Sequence, residues 1–555
     1  MVNNGPSFAQ ALWSEIEDTD DMHAQLESEG QLVSVALRLG ARRVGRWSRE
    51  ETSLAEAAEG VPSRVAEALR REILAGGDPL GETLCRLRSP ETRRRTGTTY
   101  TPVPVVEAMV TWAANLAMNP CRVIEPGTGS ARFLATAGRV FPGAQLLGIE
   151  ADPVSALLGR ANLAVLGYSE RAEIIMGDYR RIAIPIVEGP TLYVGNPPYV
   201  RHHDLGTEGK SWLSAQAKRL GFHASQLSGL HVHFFLATAV KAHKGDFGAF
   251  ITSAEWLDVN YGRLVRELFL NNLGGQGITV VEPTSRTFSD ATTTAAITQF
   301  VIGSIPEKIR ISRSKDAACK EGLVRGKWLP RSRFAAENRW SILSRAPRLA
   351  KEGYVELGEI CRVHRGQVTG ANRVWIAGKH SGLLPKSVLF ASITRAKELF
   401  MAGNVLKDIS CLRDVIDIPA DLSVFEKQER LAVETFLARA TAMGANKGYV
   451  ATNRKAWWSV GLGPAAPILA TYMARRKPAF VRNLAGARHI NIAHGIYPRE
   501  ALLPPVLDWL AQSLSAAVCI TDGRTYSGGL TKFEPKEMER ILIPNPLQMV
   551  PEQVA

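Results

Sequence analysis

Four short apolar runs, each closing on a glycine or an acidic residue, constrain the fold more than anything else in this chain. Residues 122–125 run into Pro126-Gly127-Thr128-Gly129-Ser130. Residues 145–150 end on Glu150, residues 172–176 lead to Gly177-Asp178, and residues 192–194 lead to Gly195-Asn196. The segments between them carry helical spacing. Residues 130–140 predict one helix, and Asp152-Pro153 opens another, with proline at an early helical position. Residues 230–241 read as an amphipathic helix and 247–252 as a strand. Residues 278–281 and 295–302 have the β-branched density of a closing strand pair. Such alternation over 95–305 predicts a doubly wound, Rossmann-like α/β domain.

The flanks differ. Residues 1–94 are rich in Ala, Leu, Glu and Arg and read as a helical packing or dimerisation region, broken at Gly76-Gly77-Asp78-Pro79. They hold no Asp…Glu-x-Lys nuclease signature. Residues 306–350 read as a basic connector. Residues 351–555 read as a mixed α+β domain, with helical stretches near 424–442 and 502–517 and a glycine-rich turn at Ser527-Gly528-Gly529. Charge follows this division. Residues 306–555 hold 38 Lys+Arg against 22 Asp+Glu, whereas residues 1–305 hold 29 against 32. A basic domain attached to a near-neutral one fits a polyanionic substrate, or simply a solvated cationic surface. The six cysteines are scattered, which argues against a disulfide framework or a zinc cluster and fits a reducing cytoplasm. No long apolar run predicts a membrane span. The first residues lack a basic start followed by an apolar core, so no secretion signal is expected.

The glycine turn after the first strand lets backbone approach a ligand, and the helix behind it offers free N–H groups. Glu125, Pro126, Gly127 and Gly129 form this turn. Glu150, about 20 residues on, can accept both hydroxyls of a ribose. Asp178 can accept from an adenine amino group, with Tyr179 beside the ring. There is no G-x-G-x-x-G, so the set fits an adenosyl cofactor better than NAD.

Asn196-Pro197-Pro198-Tyr199 suits a planar amine. The lone pair of an exocyclic amine is delocalised into its ring. Two acceptors on its two hydrogens, the Asn196 side-chain carbonyl and the Pro197 main-chain carbonyl, draw that pair back onto nitrogen. The prolines stiffen the turn and donate no N–H. Tyr199 can stack on the base and favour positive charge developing on nitrogen, an effect of about 1–2 kcal/mol. Together the two sites predict methyl transfer from S-adenosylmethionine to an exocyclic NH2 group, by positioning and preorganised acceptors. A base in duplex DNA must leave the stack to reach such a pocket. Phe288 is either a second aromatic wall for that base or a core residue. His202, His203, His223, His231 and His233 lie within 32 residues, but no Cys or carboxylate completes a metal-ligand spacing, and no metal is expected.

These motifs, in this order, resemble the bacterial N6-adenine DNA methyltransferases of restriction–modification systems, in the subclass with a C-terminal target-recognition domain. Arg365-Gly-Gln-Val-Thr-Gly-Ala-Asn372, Asn453 to Trp458, Ala485 to Asn491, and Arg524 to Gly529 with Lys532 to Pro535 are similar to segments of that domain. The resemblance covers roughly 95–545. It implies S-adenosylmethionine as cofactor, duplex DNA as substrate, a cognate restriction endonuclease as potential partner, and a cytoplasmic, nucleoid-associated location. It implies that Thr98 to Pro102, with Thr101 as the binding residue, contacts the methionine end of the cofactor, and that Phe288 contacts a flipped adenine. Arg365, Arg454, Lys455 and Arg524 are candidate DNA contacts, most of them to phosphate, or else structural or merely exposed cations. Trp457-Trp458 reads as core. RNA or protein glutamine as substrate, and a DNA-binding component with a vestigial catalytic domain, are the competing readings.

Overall fold

A computed structural model describes residues 26–89, 91–93, 100–281, 294–314, 319–344, 353–526 and 530–546. The chain divides into two compact units, Met1–Ala346 and Pro347–Ala555.

The first unit is built on a nine-stranded sheet. Its strands are β1 (Arg122–Pro126), β2 (Gln145–Glu150), β3 (Ala172–Met176), β4 (Thr191–Gly195), β5 (Phe247–Ser253), β6 (Gly275–Val281), β7 (Ala295–Val301), β8 (Lys308–Ser314) and β9 (Lys327–Pro330), in the order β3-β2-β1-β4-β5-β7-β6-β8-β9. β1 to β5 are parallel, and β7 runs antiparallel between β5 and β6. Successive side chains on a strand point to opposite faces, so each face needs its own apolar set. Val123, Leu146 and Ile251 pack under helices α5 (Val103–Asn115) and α6 (Arg132–Val140). Ile124, Leu147 and Phe250 pack under α9 (Leu230–Lys241) and α10 (Arg263–Leu270), with α8 (Thr207–Arg219) beside them. Near-continuous apolar strands are what a parallel sheet covered on both faces requires.

The N-terminal helices α1 (Glu29–Arg38), α2 (Arg49–Glu56), α3 (Ser63–Leu74) and α4 (Pro79–Leu87) belong to this same unit. Through Leu32, Val35, Leu69, Leu80 and Leu84 they cover Val154, Leu157, Leu158 and Ala161 of α7 (Pro153–Val165). With its other side against the sheet, α7 is buried nearly all round, and its apolar sequence has no solvent stripe. Arg160 of α7 is fully buried beside an equally buried Glu51. Its guanidinium donates to Glu51 Oε1 at 2.5 Å and to the carbonyls of Val44, Arg46 and Ile174 at 3.1, 2.8 and 2.7 Å. Removing one partner of such a pair strands a buried charge. Arg160→Met is therefore expected to cost about 3–5 kcal/mol of unfolding free energy. The check is a urea titration in which the midpoint falls at unchanged slope.

The division into 1–94, 95–305, 306–350 and 351–555 needs correction. Residues 306–350 are not a connector: β8 extends the sheet beside β6, and β9 pairs with β8. Ile309 and Ile311 point into the core, while Arg310 is buried too, with donors to the carbonyls of Gly322 and Arg325. A buried cation between two core isoleucines makes this strand read as basic rather than apolar. Phe334 and Trp340, 5.1 Å apart between ring centroids, close the same core.

The second unit is mixed α+β. A five-stranded sheet orders Cys361–Arg365, Ala493–Pro498, Ile468–Thr471, Phe480–Asn483 and Val405–Leu406, with helix Pro504–Ala517 packed on it. A three-stranded sheet of Arg413–Ile416, Leu389–Ile393 and Arg488–His489 shares a core with helix Lys427–Ala442. Trp457 packs in that core 6.1 Å from Trp375, and Trp458 donates its indole N–H to Pro419 O at 3.1 Å. Ser527-Gly528-Gly529 lies outside the described residues. Among the described residues, no helix is long and apolar enough to cross a membrane.

Candidate cofactor and target-base site

β1 pairs with β2 on one side and β4 on the other, so chain order reverses at β1. Open α/β sheets bind ligands outside the carboxyl ends of the strands at such a switch point. A cavity of about 240 Å3 opens there. Of the residues expected from sequence it gathers Thr101, Glu125, Gly127, Gly129, Glu150, Asp178, Tyr179, Asn196 and Pro198 into one wall. Pro126, Pro197 and Tyr199 do not line it. Pro126 and Pro197 are buried and Tyr199 is partly exposed. Thr98 and Phe288 lie outside the described residues.

The glycine turn has a steric reason. Gly127 and Gly129 adopt φ of +70° and +54°. A Cβ on Gly129 would stand 3.0 Å from Tyr100 Cε1, and one on Gly127 3.4 Å from Pro198 Cδ. Glycine thus brings the turn against Tyr100 on one side and the Asn-Pro-Pro-Tyr segment on the other. Thr128 locks the turn by donating its hydroxyl to Glu125 O at 2.7 Å.

The N–H groups here are not free, contrary to expectation. Gly127 N and Thr128 N donate to Ile149 O at 2.9 and 3.1 Å, and Gly129 N to Glu150 Oε2 at 2.7 Å. Phe133 N and Leu134 N, in the first turn of α6, donate to the Glu125 carboxylate at 3.4 and 3.0 Å. An acid at a helix start satisfies those orphan donors, so the cavity meets carboxylates where N–H groups were expected.

Glu150 Oε1 accepts from Ala151 N and Asp152 N, both at 2.9 Å. Burial pushes the Glu150 carboxyl up, against the pull of those N–H groups. Burial pushes Glu125 well above the usual carboxylate range, with the Glu150 charge adding to it. Asp178 behaves oppositely. Burial raises it, but hydrogen bonds from Arg180, with Nε 2.9 Å from both carboxylate oxygens, hold it below its ordinary value. Tyr179 is buried, its ring 5.2 Å from Phe234 and its hydroxyl 2.9 Å from Thr238 Oγ1, so the phenol is engaged in the core. Burial raises the Tyr199 phenol, which keeps that ring neutral at working pH.

Sequence reasoning placed Tyr100 only within the Thr98 to Pro102 segment and did not single out Thr128, Arg132 and Arg180 in this wall. Arg180 stands two residues after Asp178, a spacing that lets a guanidinium fold back onto the acid. Arg132 occupies the first turn of α6, where a cation opposes the helix dipole. That misfit signals a carboxylate partner, and Asp78 supplies it.

Of the expected DNA contacts, Arg365 and Lys455 are exposed. The Arg365 guanidinium lies 5.2 Å from the Tyr472 ring centre. Arg454 is committed to the protein, donating to Val368 O and Thr369 O at 2.6 and 3.2 Å. Arg524 pairs with a buried Glu537 at 3.1 Å. His231 and His233 are buried on α9, and His233 stacks on Trp212 with centroids 6.0 Å apart.

Strand order, glycine turn and acid-tipped strands define the first unit as a Rossmann-like methyltransferase domain. Comparison with known proteins narrows this. Residues 192–281 match the Eco57I restriction-modification methylase model, and residues 337–555 match the C-terminal domain of Type II methyltransferase M.Eco57I. Type II methyltransferase M.XamI from Xanthomonas campestris pv. amaranthicola is 45% identical over 530 residues, covering 94% of this chain and 98% of that one. Two solved structures share the fold. The type IIG restriction endonuclease BpuSI aligns with TM-score 0.50 at 16% identity over 98% of this chain and 73% of its own. The type IIL enzyme MmeI, solved in complex with DNA, aligns with TM-score 0.51 at 13% identity over 92% and 79%. The chain belongs to the Type II restriction–modification DNA methyltransferases.

Proposed function

We propose that this chain transfers a methyl group from S-adenosylmethionine to N6 of an adenine rotated out of duplex DNA. The observation that carries the reading is one cavity joining the glycine turn, Glu150 and Asp178 to Asn196 and Pro198.

The donor set fits that cofactor. Asp178 and Glu150 are acceptors for an adenine amino group and a ribose hydroxyl. Thr101 Oγ1 is buried, lines the cavity and has no partner among the described residues. Arg132 is bound by Asp78 and Arg180 by Asp178. Glu150, once ionised, is the acid of this wall with no ion pair among the described residues, which suits a sulfonium with its ammonium group and disfavours a pyrophosphate. When bound, S-adenosylmethionine supplies an electrophilic methyl group on sulfur. Asn196 and Pro197 carbonyls accept the two amine hydrogens and localise the lone pair on nitrogen. The buried Pro197 and the strand end at Gly195 fix both acceptors before the amine arrives, so little reorganisation opposes the reaction. The neutral Tyr199 ring favours the positive charge that builds on nitrogen. Exposed cations of the second unit, such as Arg365 and Lys455, supply phosphate contacts whose strength falls with salt. In a restriction–modification system the product protects DNA against an endonuclease of the same specificity.

The test is incubation of purified protein with methyl-labelled S-adenosylmethionine and, separately, duplex DNA, RNA and protein, followed by nucleoside mass spectrometry. Label is expected in DNA as N6-methyladenine at one recurring sequence. Label on cytosine, on RNA or on glutamine instead would overturn the assignment.

A further inference from the structure

We propose that Asp78, in the N-terminal helical layer, is a positioning residue for the cofactor, acting through Arg132 on Tyr100 and Thr101. The inference rests on the cofactor reading above.

Asp78 is the N-cap of α4, where its Oδ1 accepts from Gly81 N at 3.0 Å. A cap needs only that bond. Yet the same carboxylate, 4% exposed, also accepts from Ser130 Oγ, from Arg132 Nε at 2.6 Å and from Asn162 Nδ2 at 3.0 Å. One acid thus ties the end of the glycine turn, the first turn of α6 and the buried helix α7 to a segment 52, 54 and 84 residues earlier. Four donors occupy the roughly four acceptor positions of a carboxylate.

The consequence for the cavity runs through Arg132. Its Nη1 donates to Thr101 O at 2.8 Å, and its guanidinium lies 5.1 Å from the Tyr100 ring centre. Tyr100 in turn stands against Gly129, whose space a Cβ would fill at 3.0 Å. All four residues line the cavity. A cation in the first turn of a helix is otherwise disfavoured; Asp78 at 2.6 Å, with the more exposed Glu82 at 3.7 Å, is what keeps Arg132 there. The alternative place is present as well. A void of about 70 Å3, bordered by Asp78, Arg132 and Asn162, lies behind the turn. Without the Asp78 charge, Arg132 has room to leave Thr101 and Tyr100, and the wall loses its shape.

The experiment compares the full-length wild type with Asp78→Asn, Arg132→Gln and the double variant, on duplex DNA with S-adenosylmethionine varied. Asp78→Asn retains a carbonyl for the α4 cap and removes the charge. Arg132→Gln retains the cap, Ser130 and Asn162 bonds, and reads the same relay should Asp78→Asn fold poorly. Each is expected to raise KM for S-adenosylmethionine by about 10- to 100-fold, to leave kcat within about threefold, and to combine without multiplying, as residues in one relay do. An unchanged KM in both variants, multiplicative effects, or a loss confined to kcat would overturn the proposal. A wild-type protein that neither binds S-adenosylmethionine nor methylates DNA would instead sink the functional reading, and this relay with it.

Discussion

Replacing Asn196 by alanine is expected to cut single-turnover methyl transfer by about 10³-fold while leaving cofactor affinity nearly unchanged. The split follows from where the residue stands. Asn196 follows the last residue of β4, and its neighbours frame the turn: Gly195 is buried in the sheet, Pro197 is buried, and Pro198 Cδ approaches the Gly127 position. Alanine keeps that frame and deletes one of the two acceptors. The amine then keeps its lone pair in the ring, and nucleophilicity falls although the base can still stack. Asp, which also accepts, is expected to restore part of the rate, whereas Ala cannot. Stopped-time assays on saturating DNA, with calorimetry for the cofactor, separate the two effects. Transfer within about tenfold of wild type, or a loss of affinity equal to the loss of rate, would remove Asn196 from the chemistry.

How much of this was legible beforehand depended on whether the physics was local. The strands ending in Glu150 and Gly195 are period-two or continuous apolar runs closed by a glycine or acid, and each is complete within ten residues. That is why the sheet edge and its acceptors could be read directly. The relation of Asp78 to Arg132 spans fifty-four residues, and no periodicity reports it. A helix such as α7, apolar on every face and carrying a lone Arg160, did hold a clue: it must be buried on both sides and must bring a carboxylate with it. That carboxylate, Glu51, lies in the region treated as a separate helical segment. Within 306–350, whose basic composition reads as a connector, Arg310 is likewise a satisfied core residue. Cations were therefore the least readable residues. Arg454 and Arg524, candidates for DNA contact or for structural cations alike, have guanidinium groups that bond protein carbonyls and Glu537. Charge counts predict the sign of a unit's field but not which cations are free to project it.

The opposite kinetic split is expected at Glu150. Glu150→Ala should weaken S-adenosylmethionine binding by roughly 30- to 150-fold, the loss of one charge-assisted hydrogen bond of about 2–3 kcal/mol, with kcat at saturating cofactor little changed. Three N–H groups already point at this carboxylate, from Gly129, Ala151 and Asp152. With roughly four acceptor positions per carboxylate, about one remains, on Oε2, for a single ribose hydroxyl. The expectation that Glu150 takes both hydroxyls is narrowed accordingly. Burial that raises the carboxyl makes the remaining acceptor strong once it is ionised. The same three donors make Glu150→Gln a severe change: its NH2 must face either the Gly129 N–H or those of Ala151 and Asp152. Gln is therefore expected to bind cofactor almost as poorly as Ala, whereas a residue needed only for size would tolerate it. Because Glu150 acts on binding and Asn196 on the transfer step, the two losses should multiply in kcat/KM. If Glu150→Gln bound cofactor like wild type, the acid at the end of β2 would be a structural cap for the turn and not a ligand.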